Sequence, residues 1–123
     1  IKLNVTAVFS IAQVKNTKEV LKADIPAIIS VFAGRIADTG IDPIPLMKEA
    51  KTILADNPNF ELLWASPREL LNIYHAEEAG SDIITVTPDV LKKAANIGLD
   101  LEEFSLQTVK MFYDDGQKAG YVL

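Results

Sequence analysis

The chain has 123 residues, is 49% hydrophobic and carries a formal net charge of -5. This composition allows one modest hydrophobic core and argues against a nucleic acid partner, since proteins that bind the phosphate backbone normally present a basic face. The absence of cysteine excludes disulfides and thiolate metal sites. We also expect no other metal site and no cofactor. No apolar run approaches the roughly 20 residues that span a bilayer, and no leader is visible, so we expect a cytoplasmic protein with no membrane partner.

The first part of the chain is typical of two strand–helix units. Residues 1–9 are rich in β-branched and aromatic residues, which predicts a strand, and residues 10–23 have apolar residues at helical spacing. Residues 27–33 predict a second strand, followed by a turn through residues 38–43, where Gly, Asp and Pro cluster. A helix is predicted over residues 44–55.

Two further units and a last helix follow. Strands are predicted over residues 60–65 and 82–86. Ser66–Glu69 has an N-cap serine, a proline at the first helical position and a glutamate that completes a capping box, so a helix is expected to start there. Thr87–Pro88 repeats the cap and proline, and apolar spacing predicts the last helix from Leu101 onward.

Strands that alternate with helices predict right-handed βαβ crossovers and a parallel sheet. A doubly wound sheet usually carries a G-x-G-x-x-G fingerprint, which this sequence lacks, so a barrel is favoured. The predicted fold is α/β: four parallel strands with covering helices and a C-terminal helix, forming half of a (βα)8 barrel. Half a barrel leaves two open edges, so we expect self-association or pairing with a missing half.

Polar side chains gather near the predicted strand ends. Strand side chains alternate between the two faces of a sheet, so each predicted strand has a set of residues expected on one face. These sets are Asn4 and Thr6 on the first strand; Ser30 and Phe32 on the second; Leu62, Trp64 and Ser66 on the third; and Ile83, Thr85 and Thr87 on the fourth. Barrel active sites lie at the C-terminal ends of the strands, where phosphate commonly binds. Arg35 and Arg68 follow the second and third strands, and guanidinium groups offer forked donors to phosphate oxygens. The pattern therefore predicts a phosphorylated substrate.

Several of these residues also have a purely structural explanation. Asn4 and Thr6 fit a polar layer inside a barrel, hydrogen-bonded to neighbours. Ser66 and Thr87 fit N-caps and need no further role.

The same holds for the charged residues. Arg68 fits a solvated position, and Arg35 fits an ion pair with Asp38. His75 has no second imidazole near it in the pattern, so we expect a surface or packing role, and we expect Trp64 in the core.

The strings N-V-T-x-V-F-S and S-x-F-x-G-R point to a known family. Ile1–Gln13 and Ile29–Ile36, which contain them, resemble the fifth and sixth strand segments of the transaldolase family. Ala65–Arg68 and Asp82–Pro88 are similar to its seventh and eighth strand ends. The resemblance runs over nearly the whole chain and is least specific after about Leu99.

The resemblance implies class I aldolase chemistry within the pentose phosphate pathway. In this family a lysine on the fourth strand forms a Schiff base with a ketose phosphate, and the dihydroxyacetone unit passes to an aldose phosphate. The protonated imine is an electron sink for the carbanion left by cleavage. The site residues implied are Asn4 and Ser30 for the hydroxyls of the dihydroxyacetone unit, Thr6 for a proton-shuttling water, Phe32 for the wall, and Arg35, Ser66 and Arg68 for the phosphate.

The resemblance also implies limits. It covers only the C-terminal half of the family, so residues 1–123 are expected to be a half-barrel that lacks the Schiff-base lysine and is inactive alone, while the full-length protein is an enzyme. Lys2 is expected near the bottom of the barrel, and Pro67 stands where related proteins often carry an aromatic residue.

Two alternatives stay open. Fructose 6-phosphate aldolases share the fold and the lysine, but their sixth strand tends to carry tyrosine, so Phe32 and Gly34 favour transfer over cleavage. A non-enzymatic, phosphate-binding half-barrel that dimerises is the other.

Overall fold

The computed structural model describes residues 2–120, and over that range it has four β-strands and six α-helices. The strands are β1 (Leu3–Val8), β2 (Ala27–Val31), β3 (Phe60–Trp64) and β4 (Ile83–Ile84). The helices are α1 (Ile11–Val20), α2 (Ala33–Ala37), α3 (Pro43–Leu54), α4 (Leu71–Glu78), α5 (Pro88–Lys92) and α6 (Leu101–Lys118), with a short 3-10 helix at Lys93–Asn96. The chain divides into two compact units after Lys92, and all four strands belong to the first.

The four strands form one parallel sheet in the order β1-β2-β3-β4. A doubly wound sheet reverses its strand order at a switch point, whereas successive strands of a (βα)8 barrel lie side by side in chain order. The predicted α/β fold of parallel βα units, of the kind found in half a barrel, is therefore confirmed. Within the described residues, β1 and β4 each pair with a strand on one side only.

One face of the sheet forms the core against the helices. Paired residues of neighbouring parallel strands point to the same face, and Ile29 pairs with Leu62 while Val31 pairs with Trp64. All four side chains are at most 1% exposed and belong to a cluster that includes Met47 of α3. The predicted core position of Trp64 is confirmed.

The opposite face carries the polar residues. Ser30 lies opposite Leu63, so Ser30 and Leu63 point away from the helices. The predicted placement of Leu62 and Trp64 on the same face as Ser30 is therefore wrong. The only polar residue of β3, Glu61, pairs with Ile28 and so lies on the Ser30 face, while the run Leu62–Trp64 that follows is apolar throughout, and pairing with β2 sets the orientation of that run.

β1 contains a bulge near its C-terminal end. Val5 lies opposite Ile29 and Val8 lies opposite Val31, so β1 has one residue more than β2 between these two pairs. Ala7 takes up the extra residue with a positive φ of 57°, in the left-handed region. The bulge turns Val8 back into the core, where it is 3% exposed. Ile1, at the start of the predicted first strand, lies outside the described residues.

Two helix starts agree with the sequence, while one helix and one strand differ from it. Thr87 Oγ1 accepts a hydrogen bond from Val90 N at 3.3 Å, so the predicted cap of α5 is confirmed, and α6 begins at Leu101 as expected. Residues 33–37 form α2 instead of continuing the second strand. β4 is only two residues long, and Ile83 and Ile84 pair with Leu63 and Trp64 of β3.

Candidate functional site

Asn4 and Ser30 face each other across β1 and β2, on the side of the sheet away from the helices. Ser30 Oγ donates a hydrogen bond to Asn4 Oδ1 at 2.7 Å. Ser30 is 4% exposed, while Asn4 is exposed to solvent. The bond fixes the amide of Asn4 with its NH2 group free to donate, and the serine oxygen is free to accept. The structure thus brings together two of the residues predicted to hold hydroxyl groups.

Thr6 lies two residues further along β1, beside the bulge at Ala7. Its side chain is exposed and forms no hydrogen bond to any other part of residues 2–120. Bulges commonly redirect side chains next to active sites. A free hydroxyl beside the Asn4–Ser30 pair is suited to hold a water molecule. This is the role that the family resemblance implies for Thr6.

Phe32 lies at the tip of β2, immediately before α2. Its ring contacts that of Phe9, with centroids 5.6 Å apart at an angle of 56°. The guanidinium carbon of Arg35 lies 5.8 Å from the centroid of the Phe32 ring, which is a cation–π distance. Phe32 is half-buried and Phe9 is 40% exposed, so the two rings form an apolar wall with the charge of Arg35 beside it.

Gly34 allows the tips of β2 and β3 to touch. A Cβ atom built on Gly34 would lie 1.4 Å from the carbonyl oxygen of Ser66 and 2.5 Å from its carbonyl carbon. In addition, Gly34 N donates a hydrogen bond to Ala65 O at 3.2 Å. Glycine is therefore the one residue type that fits here, and its contact places α2, with Arg35, directly beside Ser66.

Ser66 does not cap a helix, so the predicted start of α4 at Ser66–Glu69 is wrong. Ser66 has a positive φ of 60°, and α4 begins at Leu71 with no side-chain hydrogen bond at its cap. The acceptor comes from within α4 instead. Asn72 Oδ1 accepts from Arg68 N at 2.7 Å and from Glu69 N at 2.9 Å. The contact with Gly34 outweighs the local capping pattern, and the serine hydroxyl is left for another role.

Arg68 forms its ion pair with Asp38, at the C-terminal end of α2. Arg68 Nη2 lies 3.1 Å and Nε 3.3 Å from Asp38 Oδ2, and both side chains are about half exposed. Asp38 is therefore the partner of Arg68, not of Arg35. Arg35 is exposed and has no ion pair within the part of the chain that the structure describes. Both arginines are thus associated with α2: Arg35 belongs to it, and Arg68 pairs with Asp38 at its C-terminal end.

The residues of this site lie within a part of the chain that is similar to known proteins. The sequence model of the Transaldolase/Fructose-6-phosphate aldolase family matches residues 1–121. The chain belongs to this family. "Probable transaldolase" of Bartonella bacilliformis is 37% identical to it over 123 residues, 98% of this chain and 52% of that protein. "Probable transaldolase" of Paracoccus denitrificans is 37% identical over 115 residues, 89% of this chain and 50% of that protein. "Probable transaldolase" of Carboxydothermus hydrogenoformans is 43% identical over 94 residues, 74% of this chain and 41% of that protein.

The chain spans about half the length of the curated transaldolases it matches. The family resemblance stated from the N-V-T-x-V-F-S and S-x-F-x-G-R strings is confirmed by the family match.

Other polar residues of this transaldolase-family chain lie away from the strand tips or serve packing. Lys2 Nζ pairs with Glu61 Oε1 at 2.6 Å, at the N-terminal end of the sheet. His75 is half-buried, with its ring 6.4 Å from that of Trp64 and its Nδ1 3.4 Å from Asn72 Nδ2, which agrees with the predicted packing role.

Residues 2–120 contain no group of three or more His, Cys, Asp or Glu side chains placed to hold a metal ion. Across the same residues, no helix combines the length and apolar character needed to cross a membrane.

Sequence reasoning missed the roles of three residues at this site. Phe9 follows the end of β1 directly, and its position after a strand was a usable signal. Asp38 stands near Arg35 in the chain, so its pairing with Arg68 depends on the tertiary contact. Asn72 gave no signal, because it acts from inside the first turn of α4.

Proposed function

We propose that this chain supplies the sugar phosphate-binding side of a transaldolase barrel. The whole protein would transfer a dihydroxyacetone unit from a ketose phosphate to an aldose phosphate through a lysine Schiff base. The observation that carries the proposal is that the only two arginines in the sequence, Arg35 and Arg68, follow the tips of β2 and β3, which the contact between Gly34 and Ser66 brings together. Forked guanidinium donors suit phosphate oxygens, and an acidic chain that keeps both its arginines at one end of the sheet is suited to bind an anion there.

The dihydroxyacetone unit would bind at the neighbouring strand. Asn4 and Ser30 would hold its hydroxyl groups, since each keeps a free hydrogen-bonding position while bound to the other. Thr6 would hold the water that carries the proton from the hydroxyl group of the breaking bond. Phe32 would form the apolar wall that excludes other water from the carbanion stage.

The reacting lysine is proposed to lie outside residues 1–123, so the chain alone is expected to be inactive. Among residues 2–120, every lysine other than Lys2 lies on a helix or a connecting segment, and Lys2 is held by Glu61 at the far end of the sheet from Arg35 and Arg68. Lys2 stands two residues before Asn4, but its ammonium group is engaged in the ion pair with Glu61.

The arginines give the direct test in the intact gene product. Arg35→Ala and Arg68→Ala should each raise KM for fructose 6-phosphate by about 10- to 100-fold, because a charged hydrogen bond contributes about 1.5–3 kcal/mol. KM for a ketose without phosphate should not change. Lys15→Ala, on an exposed face of α1, is the matched control for loss of a positive charge. Unchanged KM values in both arginine variants would contradict the phosphate site.

Transfer and cleavage are distinguished by the fate of the dihydroxyacetone unit. We propose transfer, because Phe32 and Gly34 resemble the transaldolase branch, and a phenylalanine lacks the hydroxyl that joins the proton relay in aldolases. Incubation with fructose 6-phosphate should release free dihydroxyacetone only slowly until an aldose phosphate is added. Rapid release without an acceptor would indicate a lyase.

The free edges of β1 and β4 are proposed to pair with other strands, from the remaining half of a family barrel or from a second copy. Strand edges that pair on one side only favour association. Light scattering of the 123-residue chain should therefore give a dimer or larger, and a clean monomer would contradict this.

A further inference from the structure

We propose that Asp38 is a positioning residue that orients the Arg68 guanidinium for phosphate, an inference that rests on the proposed function. A single oxygen of Asp38, Oδ2, accepts from both Nε and Nη2 of Arg68, at 3.3 and 3.1 Å. A guanidinium has five N–H donors, so this arrangement uses two of them. Three donors are left, two on Nη1 and one on Nη2, and one from each nitrogen forms the forked edge that binds phosphate oxygens.

The backbone of Arg68 is fixed independently of its side chain. Asn72 Oδ1 accepts from the backbone N–H groups of Arg68 and Glu69, at 2.7 and 2.9 Å. The side chain that extends from this fixed point has several rotatable bonds, and without a second contact its charged end would sample many positions. Asp38 supplies that second contact.

Asp38 is itself held in place by the same contact that forms the site. Its backbone N–H donates to Gly34 O at 3.1 Å, and Gly34 touches the carbonyl of Ser66. Arg35, on the same short helix, lies over the Phe32 ring instead of turning toward Asp38. The carboxylate is thus free to serve Arg68, and α2 fixes the positions of both arginines.

Two other roles for Asp38 give different results. If Asp38 merely forms a surface ion pair, its removal changes nothing at the phosphate site, because half-exposed pairs contribute little to stability. If Asp38 competes with phosphate for Arg68, its removal strengthens phosphate binding. The positioning role differs from both, since it predicts weaker binding that depends on the presence of Arg68.

A double-mutant cycle in the intact gene product separates these roles. Asp38→Asn keeps the shape and removes the charge, and it should raise KM for fructose 6-phosphate about threefold with kcat unchanged, within the coupling that a half-exposed pair provides. The dissociation constant of inorganic phosphate, measured by calorimetry, should rise by the same factor. In the Arg68→Ala background, Asp38→Asn should raise neither. Asp38→Glu should recover most of the phosphate affinity.

Asp24→Asn is the matched control, since Asp24 is an exposed acid in the connection between α1 and β2. It should leave both constants unchanged, and thermal denaturation should show that all variants fold. Tighter phosphate binding in Asp38→Asn, no change, or an equal rise in the Arg68→Ala background would each overturn the positioning role. If Arg68→Ala alone has no effect on phosphate, the proposed function fails instead.

Discussion

Replacement of Gly34 by alanine tests the contact on which the whole site depends. The added Cβ would lie 1.4 Å from Ser66 O, so the backbone of the β3 tip must move by about 2 Å to reach an ordinary van der Waals distance. Side-chain rotation cannot relieve the clash, because the atoms in the way belong to the backbone.

The expected loss of stability follows from two contributions. Overpacking of this kind costs about 1–3 kcal/mol, and loss of the hydrogen bond from Gly34 N to Ala65 O costs about 0.5–1.5 kcal/mol. Alanine recovers about 0.5–1 kcal/mol through its better helix propensity. Because the displacement is large, we expect the free energy of unfolding to fall by about 2–3 kcal/mol.

Chemical denaturation of the variant and the wild type measures this difference. Gly116→Ala is the matched control: Gly116 lies within α6, and the space that an added Cβ would occupy there is open, so alanine should raise the stability by about 0.5–1 kcal/mol. KM for fructose 6-phosphate should rise in Gly34→Ala, since Ser66 and Arg68 move with the β3 tip. A loss below about 0.5 kcal/mol together with an unchanged KM would refute the reasoning.

Three further predictions concern the supports of the site and sheet. Asn72→Ala should raise KM for phosphorylated sugars and lower the melting temperature, whereas Asn72→Asp, which keeps an acceptor oxygen, should do neither; equal effects would contradict the role of the acceptor. Ser30→Ala should lower the free energy of unfolding by about 0.5–1.5 kcal/mol, measured by denaturation, because Asn4 loses its donor; a stabilised variant would contradict this. Burial alone would raise the pKa of Asp82, but hydrogen bonds from Lys51 and from the backbone, with the charge of Lys51, lower that pKa below its usual value. The ionised carboxylate of Asp82 therefore stabilises the fold fully above about pH 4, and this stabilisation is lost as the pH falls through the lowered pKa. The difference in the free energy of unfolding between wild type and Asp82→Asn should be largest near pH 7 and vanish in acid. A difference that is constant with pH would contradict this.

The overall fold could be predicted because its signals are local. The alternation of strands and helices is visible in the sequence, and the side-chain alternation of β1 and β2 correctly placed Asn4 beside Ser30. The polar residues of these two strands marked their inner face, so the sequence defined which side chains lie on each face of the sheet.

The rest depended on contacts between distant segments. In β3 the only polar residue, Glu61, stands near the start, and the three residues after it are all apolar, so pairing with β2 set the orientation of Leu62, Leu63 and Trp64. The Ser66–Glu69 pattern is a valid capping signal by itself, but the approach of Gly34 forces Ser66 into a left-handed conformation that a helix start excludes. The partner of Arg68 was equally hidden, because Asp38 is 30 residues away in sequence and reaches Arg68 only through α2.

Borohydride trapping tests the central claim most directly. The intact gene product is incubated with fructose 6-phosphate and reduced, and peptide mass spectrometry then locates the covalent adduct. The proposal predicts a dihydroxyacetone adduct on a lysine outside residues 1–123, with trapping that weakens in Arg68→Ala at low substrate concentration. An absence of adduct, or an adduct on a lysine within residues 1–123, would contradict it.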